Sequence, residues 1–223
     1  MTDIIVSNIS KYYDGKVVFR NLSLSFPAGK ITCIKGPSGC GKTTLMRIVA
    51  GLEQASEGSV SGVPDKIGFV FQENRLCEDF TALRNIRLVT GKRMENEEIL
   101  RHLQEVGLSE DLTKPVRAFS GGMKRRVAIA RAICYGAPLL ILDEPFKGLD
   151  EKLRFRVMDY VKQYSAGKTV LCVTHDSAEA EYLGGFTADM GNQAEHMGGL
   201  AADMGNQAEH TDGSTADMGN EVE

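Results

Sequence analysis

The chain has 223 residues, 42% of them hydrophobic and 25% charged, with a formal net charge of −4. That composition suits one large domain with an appendage and excludes a wholly disordered or fibrous chain. No apolar run nears the roughly 18 residues of a spanning helix, and MTDIIVSNIS lacks the basic start of a signal peptide, so a soluble, cytoplasmic protein is expected.

Residues 1–30 alternate like antiparallel strands: IIVSNI, a turn at Asp14-Gly15, VVF, then LSLSF ending at Pro27 and Gly29. Residues 30–34 read as an apolar strand running into a Gly-rich turn, and residues 43–50 have helical spacing that stops at Gly51. Further on come the apolar strand IGFVFQ, a helix over 95–106, and a second helix over 125–135 closed by Gly136 and Pro138. Residues 139–142 and 169–174 are uninterrupted apolar runs of the kind buried in parallel sheets. Strands alternating with helices in this way predict an α/β domain of the P-loop type.

From residue 188 the chain repeats itself: ADMGN begins at Ala188, Ala202 and Ala216, with a period of 14. Such copies hold too few aromatic and β-branched residues to bury much, so disorder is expected; a helix, or metal binding by Glu195-His196 and Glu209-His210, are the other readings. Eight acids and no Lys or Arg follow Thr187, which leaves 26 bases against 22 acids before it. A body so weakly basic predicts no nucleic-acid partner. The five cysteines are odd in number and lack CxxC spacing, which fits reduced thiols. Cys33, Cys77, Cys134 and Cys172 are expected as small buried hydrophobes, and Cys40 as a reachable thiol in the Gly-rich loop.

Two motifs carry chemistry. Gly36-Pro-Ser-Gly-Cys-Gly-Lys-Thr-Thr44 fits GxxxxGK[ST] between a strand and a helix. Gly39 and Gly41 let backbone N–H groups turn toward phosphates, the helix adds its positive N-terminus, Lys42 reaches the β and γ oxygens, and the Thr43 hydroxyl can join a Mg²⁺ shell. Leu139-Leu-Ile-Leu-Asp-Glu-Pro145 then presents Asp143 to the metal at a strand end, with Glu144 beside it. Together they predict a nucleoside-triphosphate site.

Phe119-Ser-Gly-Gly-Met-Lys-Arg-Arg126 resembles the signature turn of the ATP-binding cassette (ABC) ATPases, and further family elements follow in order. They are Tyr13 in KYYDG, Gln72 after IGFVF, Gly148-Leu-Asp150 and His175 after TVLCVT. SGGM, FQENRL and DEPFKGLD look like the ATPase subunits of nitrate, sulfonate and taurine importers. The resemblance implies an ABC-type P-loop fold with a mixed core sheet, an antiparallel β subdomain and a helical subdomain over about 74–136, in a domain of residues 1–183 followed by a tail of 184–223. It also implies a homodimer sandwiching ATP between Lys42 of one copy and Ser120, Gly121 and Gly122 of the other. Nucleotide contacts extend to Gly36, Ser38, Gly39, Cys40, Gly41, Thr43 and Thr44, with Tyr13 on the adenine. Thr43, Gln72 and Asp143 surround Mg²⁺, Glu144 is the general base, and His175 meets the γ-phosphate. His102, His196 and His210 take no role.

By resemblance the partner is an integral membrane permease, and through it a substrate-binding protein, with the cassette peripheral on the inner face of the membrane. Phe80, Leu83 and Ile86 either receive a permease helix or form the lobe's own core. A soluble ATPase acting on a non-transport partner, and an ATP-binding module without turnover, are the alternative functions. The chain departs from the family after HDSAEAEYLGG, where the strands that close the domain are expected to be missing and a sheet edge is left less covered. Met123 departs from the commoner Gln without touching the main phosphate contacts.

Overall fold

The computed structural model describes residues 2–110 and 112–191. The repeats beyond 191, with their expected disorder and their histidine pairs, lie outside the described residues. Strands β1 (Ile4–Tyr13) and β2 (Lys16–Phe26) form an antiparallel hairpin, and β4 (Glu57–Ser61) pairs with the other edge of β1. Asp14 and Gly15 both have positive φ, 46° and 78°, the conformation in which a two-residue turn matches the twist of its strands.

The second sheet has the order β5-β6-β7-β3-β8, built from β3 (Ile31–Lys35), β5 (Ile67–Val70), β6 (Leu139–Asp143), β7 (Thr169–Val173) and β8 (Phe186–Asp189). Every pair in it is parallel, so the expected mixed sheet is instead two sheets, one antiparallel and one parallel. Parallel strands need both faces covered. In β6 all five residues are buried: Leu140 and Leu142 join one apolar cluster, while Leu139 and Ile141 join the other. The first cluster holds α2 (Ala82–Thr90), α3 (Asn96–Glu105), α4 (Gly121–Cys134) and α5 (Glu151–Tyr164) against the sheet. The second packs α1 (Lys42–Val49) and the antiparallel sheet on the opposite face.

Caps set where the helices begin. Thr81, Ser120, Asp150 and Asp176 each accept a backbone N–H in the first turn of α2, α4, α5 and α6 (Ser177–Leu183). α4 therefore starts four residues before its apolar periodicity at Arg125, because the Ser120 hydroxyl satisfies the Met123 N–H at 3.2 Å.

The expectation that the closing strands are missing is corrected by β8. It runs beside β3 from Thr32↔Phe186 to Lys35↔Asp189, past the predicted domain end at 183 and into the first repeat copy. Gly185 makes this possible: a Cβ there would sit 2.4 Å from the Ile31 carbonyl oxygen. Met190, 3% exposed, then enters the second cluster. The edge of β3 is thereby covered, and β8 becomes the sheet edge.

All five cysteines are free; Cys33, Cys134 and Cys172 are buried, as expected, and Cys40 is half-buried. Cys77 is exposed, against expectation, because it lies in the loop before α2, held by its own backbone to the Asn85 amide at 2.9 and 3.1 Å. Among the described residues no helix is long and apolar enough to cross a membrane. Ile86 is fully buried in the helical lobe and Leu83 packs against the same cluster, so these two are core.

Candidate functional site

The C-terminal ends of β3, β6 and β7 converge on a cavity of about 470 Å³, the side of an open α/β sheet on which ligands bind. Its walls come from Val18, the loop residues Ser38, Gly39 and Gly41, the start of α1 (Lys42, Thr43, Thr44), Gln72, Glu144, Lys147, Val173 and His175. Six residues from the GxxxxGK[ST] stretch and three more predicted positions, Gln72, Glu144 and His175, thus share one region with Asp143 behind them.

The loop before α1 is shaped by close packing. Gly41 caps the helix at φ +94°, and a Cβ there would meet Val18 Cγ1 at 2.6 Å and Phe19 Cδ1 at 2.8 Å. Only glycine fits both the backbone conformation and the contact with β2. The Lys42 ammonium donates to the Gly36 and Pro37 carbonyls at 2.8 Å each, folding its chain over the loop, and lies 3.8 Å from Cys40 Sγ. Four backbone N–H groups at the start of α1 have no partner within the helix and, with the helix dipole, favour an anion here.

Behind the loop, Thr43 Oγ1 donates to Asp143 Oδ2 at 2.8 Å, while Asp143 Oδ1 is buried without a hydrogen-bond partner. Burial raises the Asp143 carboxyl above its usual range, with the Thr43 bond opposing. A desolvated carboxylate oxygen with a free lone pair beside a hydroxyl is a donor set that suits a hard divalent cation.

Glu144 follows at φ +47°, a left-handed backbone that turns its side chain into the cavity. His175 Nε2 lies 2.7 Å from Oε1, and Oε2 accepts from Lys147 Nζ at 2.8 Å and from Gln72 Nε2 at 3.4 Å. Burial opposes ionisation of Glu144, but the Lys147 and His175 contacts outweigh it and hold the carboxyl below the usual glutamate range. Lys147 and Val18 went unassigned in the sequence. Lys147 stands three residues after Glu144, an i, i+3 spacing that could have pointed to it.

Ser120, Gly121 and Gly122 line no part of this cavity; Ser120 and Gly121 are exposed at the N-terminus of α4. Gly122 packs toward Leu149 and Gly148. Tyr13 also stays outside the lining: its hydroxyl bonds Glu53, Lys11 Nζ sits 4.7 Å from its ring, and it is 44% exposed. His102 is buried among helices, its Nδ1 2.9 Å from the Tyr160 hydroxyl.

Residues 19–147 match a family model described as "ABC transporter". The chain is 42% identical over 185 residues to an aliphatic sulfonates import ATP-binding protein of Pseudomonas syringae pv. syringae, covering 82% of this chain and 78% of that one. It is 39% identical to a spermidine/putrescine import ATP-binding protein of Spiroplasma citri, over 78% of this chain and 54% of that one. Among solved structures it resembles a dimeric bacterial ABC transporter cassette with a TM-score of 0.73 and 31% identity, over 84% of this chain and 95% of that chain. A post-hydrolysis state of that cassette, bound to ADP and Pi, aligns with a TM-score of 0.71 at 31% identity, over 80% of this chain and 90% of that chain.

Proposed function

Because the chain belongs to the ABC transporter family, we propose that it is the ATP-hydrolysing subunit of a small-solute importer, and that the cavity at the strand ends is its catalytic site. One observation carries the reading: the phosphate loop, the Thr43–Asp143 pair and the Glu144–His175 pair open into the same cavity. The relatives named for sulfonate import support a small organic anion as cargo.

In this mechanism the N–H groups of residues 39–43 and the α1 dipole hold the triphosphate, and Lys42 exchanges its carbonyl partners for β and γ oxygens. Gly36, Ser38, Cys40 and Thr44 shape the same cradle. Asp143 Oδ1, Thr43 and Gln72 are the residues that would hold Mg²⁺, which when bound neutralises charge on the phosphate oxygens. Glu144 takes the proton of the attacking water as the water oxygen bonds to the γ-phosphorus and the bond to the β-bridging oxygen breaks. His175 orients Glu144 through its 2.7 Å contact and faces the γ-phosphate. Tyr13 supplies an aromatic face for adenine.

Ser120, Gly121 and Gly122 complete the site of a second copy. The exposure of Ser120 and Gly121 at a capped helix N-terminus, and the dimeric form of the structural relative, support this reading. The permease docks in the 430 Å³ groove lined by Leu52, Phe69, Phe71, Val89, Arg131 and Tyr135, which has one wall from α1's end and another from the helical lobe. On this reading the protein works on the cytoplasmic face of the membrane, linked to a substrate-binding protein only through that permease. Residues 1–183 with β8 then form the cassette, residues 74–136 being its helical lobe.

The test is Mg²⁺-dependent phosphate release by the purified chain and by Glu144→Gln, with sizing chromatography with and without ATP. The expected result is a loss of about 10²- to 10⁴-fold in kcat for the variant, which elutes as a dimer with ATP. Unchanged turnover in Glu144→Gln overturns the assignment of the base.

A further inference from the structure

His175 stands on a three-residue bridge between β7 and α6, and both of its neighbours are tied down. The Thr174 hydroxyl is buried, donates to the Glu179 carboxylate and accepts the Asp176 N–H at 3.1 Å. Asp176 caps α6 with one carboxylate oxygen, accepting from the Ala178 N–H at 2.8 Å, and its other oxygen accepts from Arg154 Nη1 at 3.1 Å. The same nitrogen lies 3.8 Å from Glu179 Oε1. One guanidinium therefore faces both carboxylates that fix the residues flanking His175.

Arg154 belongs to the first turn of α5, its N–H bonded to the Asp150 carbonyl at 2.8 Å. The segment leading into that turn begins at Glu144. Glu144 and His175 are thus joined twice, directly at 2.7 Å and again, from behind, through Arg154. Glu179 is buried, so its carboxylate depends on a partner for its charge, and Arg154 Nη1 stands between that carboxylate and Asp176.

From this geometry we infer that Arg154 is a positioning residue for the hydrolysis step: it fixes the His175 loop against the segment that carries Glu144. The inference rests on the proposed roles of Glu144 and His175. Without the guanidinium, Asp176 keeps its cap on α6 but loses its tie to α5, and the imidazole is free to leave the Glu144 carboxylate. A displacement of about an ångström at a reacting group costs up to a hundredfold in rate.

The experiment compares kcat and KM for Mg-ATP in the full chain, Arg154→Gln, Arg154→Lys, His175→Ala and the Arg154→Gln/His175→Ala double variant. Arg154→Gln is expected to lower kcat about tenfold with KM within about twofold, and Arg154→Lys to recover part of the loss. The double variant is expected to be no slower than His175→Ala, because the arginine acts through the histidine. Losses that multiply in the double variant, or a rise in KM with kcat unchanged, overturn the inference. The ¹⁵N imidazole signals of His175, identified by their loss in His175→Ala, provide a readout without turnover. They are expected to shift in Arg154→Gln, and signals that stay in place overturn the inference even if the chain proves not to hydrolyse ATP, an outcome that would count against the functional proposal alone.

Discussion

Replacing Met190 by alanine asks whether the strand built from the first repeat copy is part of the ATPase domain. Met190 is 3% exposed and belongs to the cluster that contains Ile34, Leu45 and Met46, and its N–H bonds the Lys35 carbonyl at 3.0 Å. Methionine-to-alanine changes in full cores cost about 2–5 kcal/mol; at the last strand of a sheet, where neighbours can relax, about 2 kcal/mol is the appropriate figure. For a domain of this size that lowers Tm by about 4–8 °C. The Met190 Cβ, 3.3 Å from where a Cβ on Gly36 would stand, is retained in alanine, so ATP affinity is expected to change less than about twofold. Thermal unfolding followed by circular dichroism measures the first effect, and titration with ATP the second. Phe186→Ala serves as the control: at 54% exposure in β8, the strand that leads to Met190, it is expected to shift Tm by less than about 2 °C. A Met190→Ala chain that melts with the wild type, or a larger effect from Phe186, would refute the reasoning.

Gly41→Ala forces a Cβ to 2.6 Å from Val18 at φ +94°, and equilibrium binding is expected to show ATP affinity reduced by more than about tenfold, with strain of about 1–3 kcal/mol appearing in the unfolding curve. Burial holds the His102 imidazole below its ordinary range near 6.5, with Glu105 and Glu98 favouring the proton and Arg101 and Lys168 opposing it. The unfolded chain therefore takes up a proton that the folded chain refuses, so stability is complete above about pH 6.5 and falls as the pH drops below it; urea titrations of His102→Phe should show a flatter profile. Brief alkylation should label Cys77 and Cys40 and spare Cys134, whose thiol is pushed up to about 12 by burial, and ATP should protect Cys40 alone when peptides are mapped by mass spectrometry.

Much of the site was legible because its residues occupy positions where the backbone is under a strict demand. A strand, a turn rich in glycine and a helix with Lys42-Thr43 can be read from spacing, and so can Asp143 at the end of an apolar run, since these depend on neighbours in sequence. Lys147 was harder: its partner Glu144 is three residues away, but only the left-handed turn at Glu144 brings the two together. β8 escaped the pattern for a related reason. FTAD alternates for only four residues, too short to stand out beside the polar repeat, and it pairs because Gly185 allows the chain to pass within van der Waals reach of Ile31. The early start of α4 was hidden by Gly121 and Gly122, poor helix formers that the Ser120 cap compensates. Ile86 could not be told from a surface residue by sequence alone, because helix α2 exposes Leu88 and buries Ile86 only two positions apart.

The Glu144 carboxylate is gripped from three directions, by Gln72 at the end of β5, Lys147 ahead of α5 and His175 beyond β7. Each of these comes from a separate connection, and each connection leads to a different neighbour: the helical lobe, the segment 148–150, and the last helix and strand. The carboxylate behaves as the hub of a tripod whose feet rest on three independent parts of the molecule. A shift in any one foot changes the aim of the hub, so if Glu144 is the base proposed above, chemical competence becomes a logical AND over distant conditions, read out at a single pair of oxygen atoms.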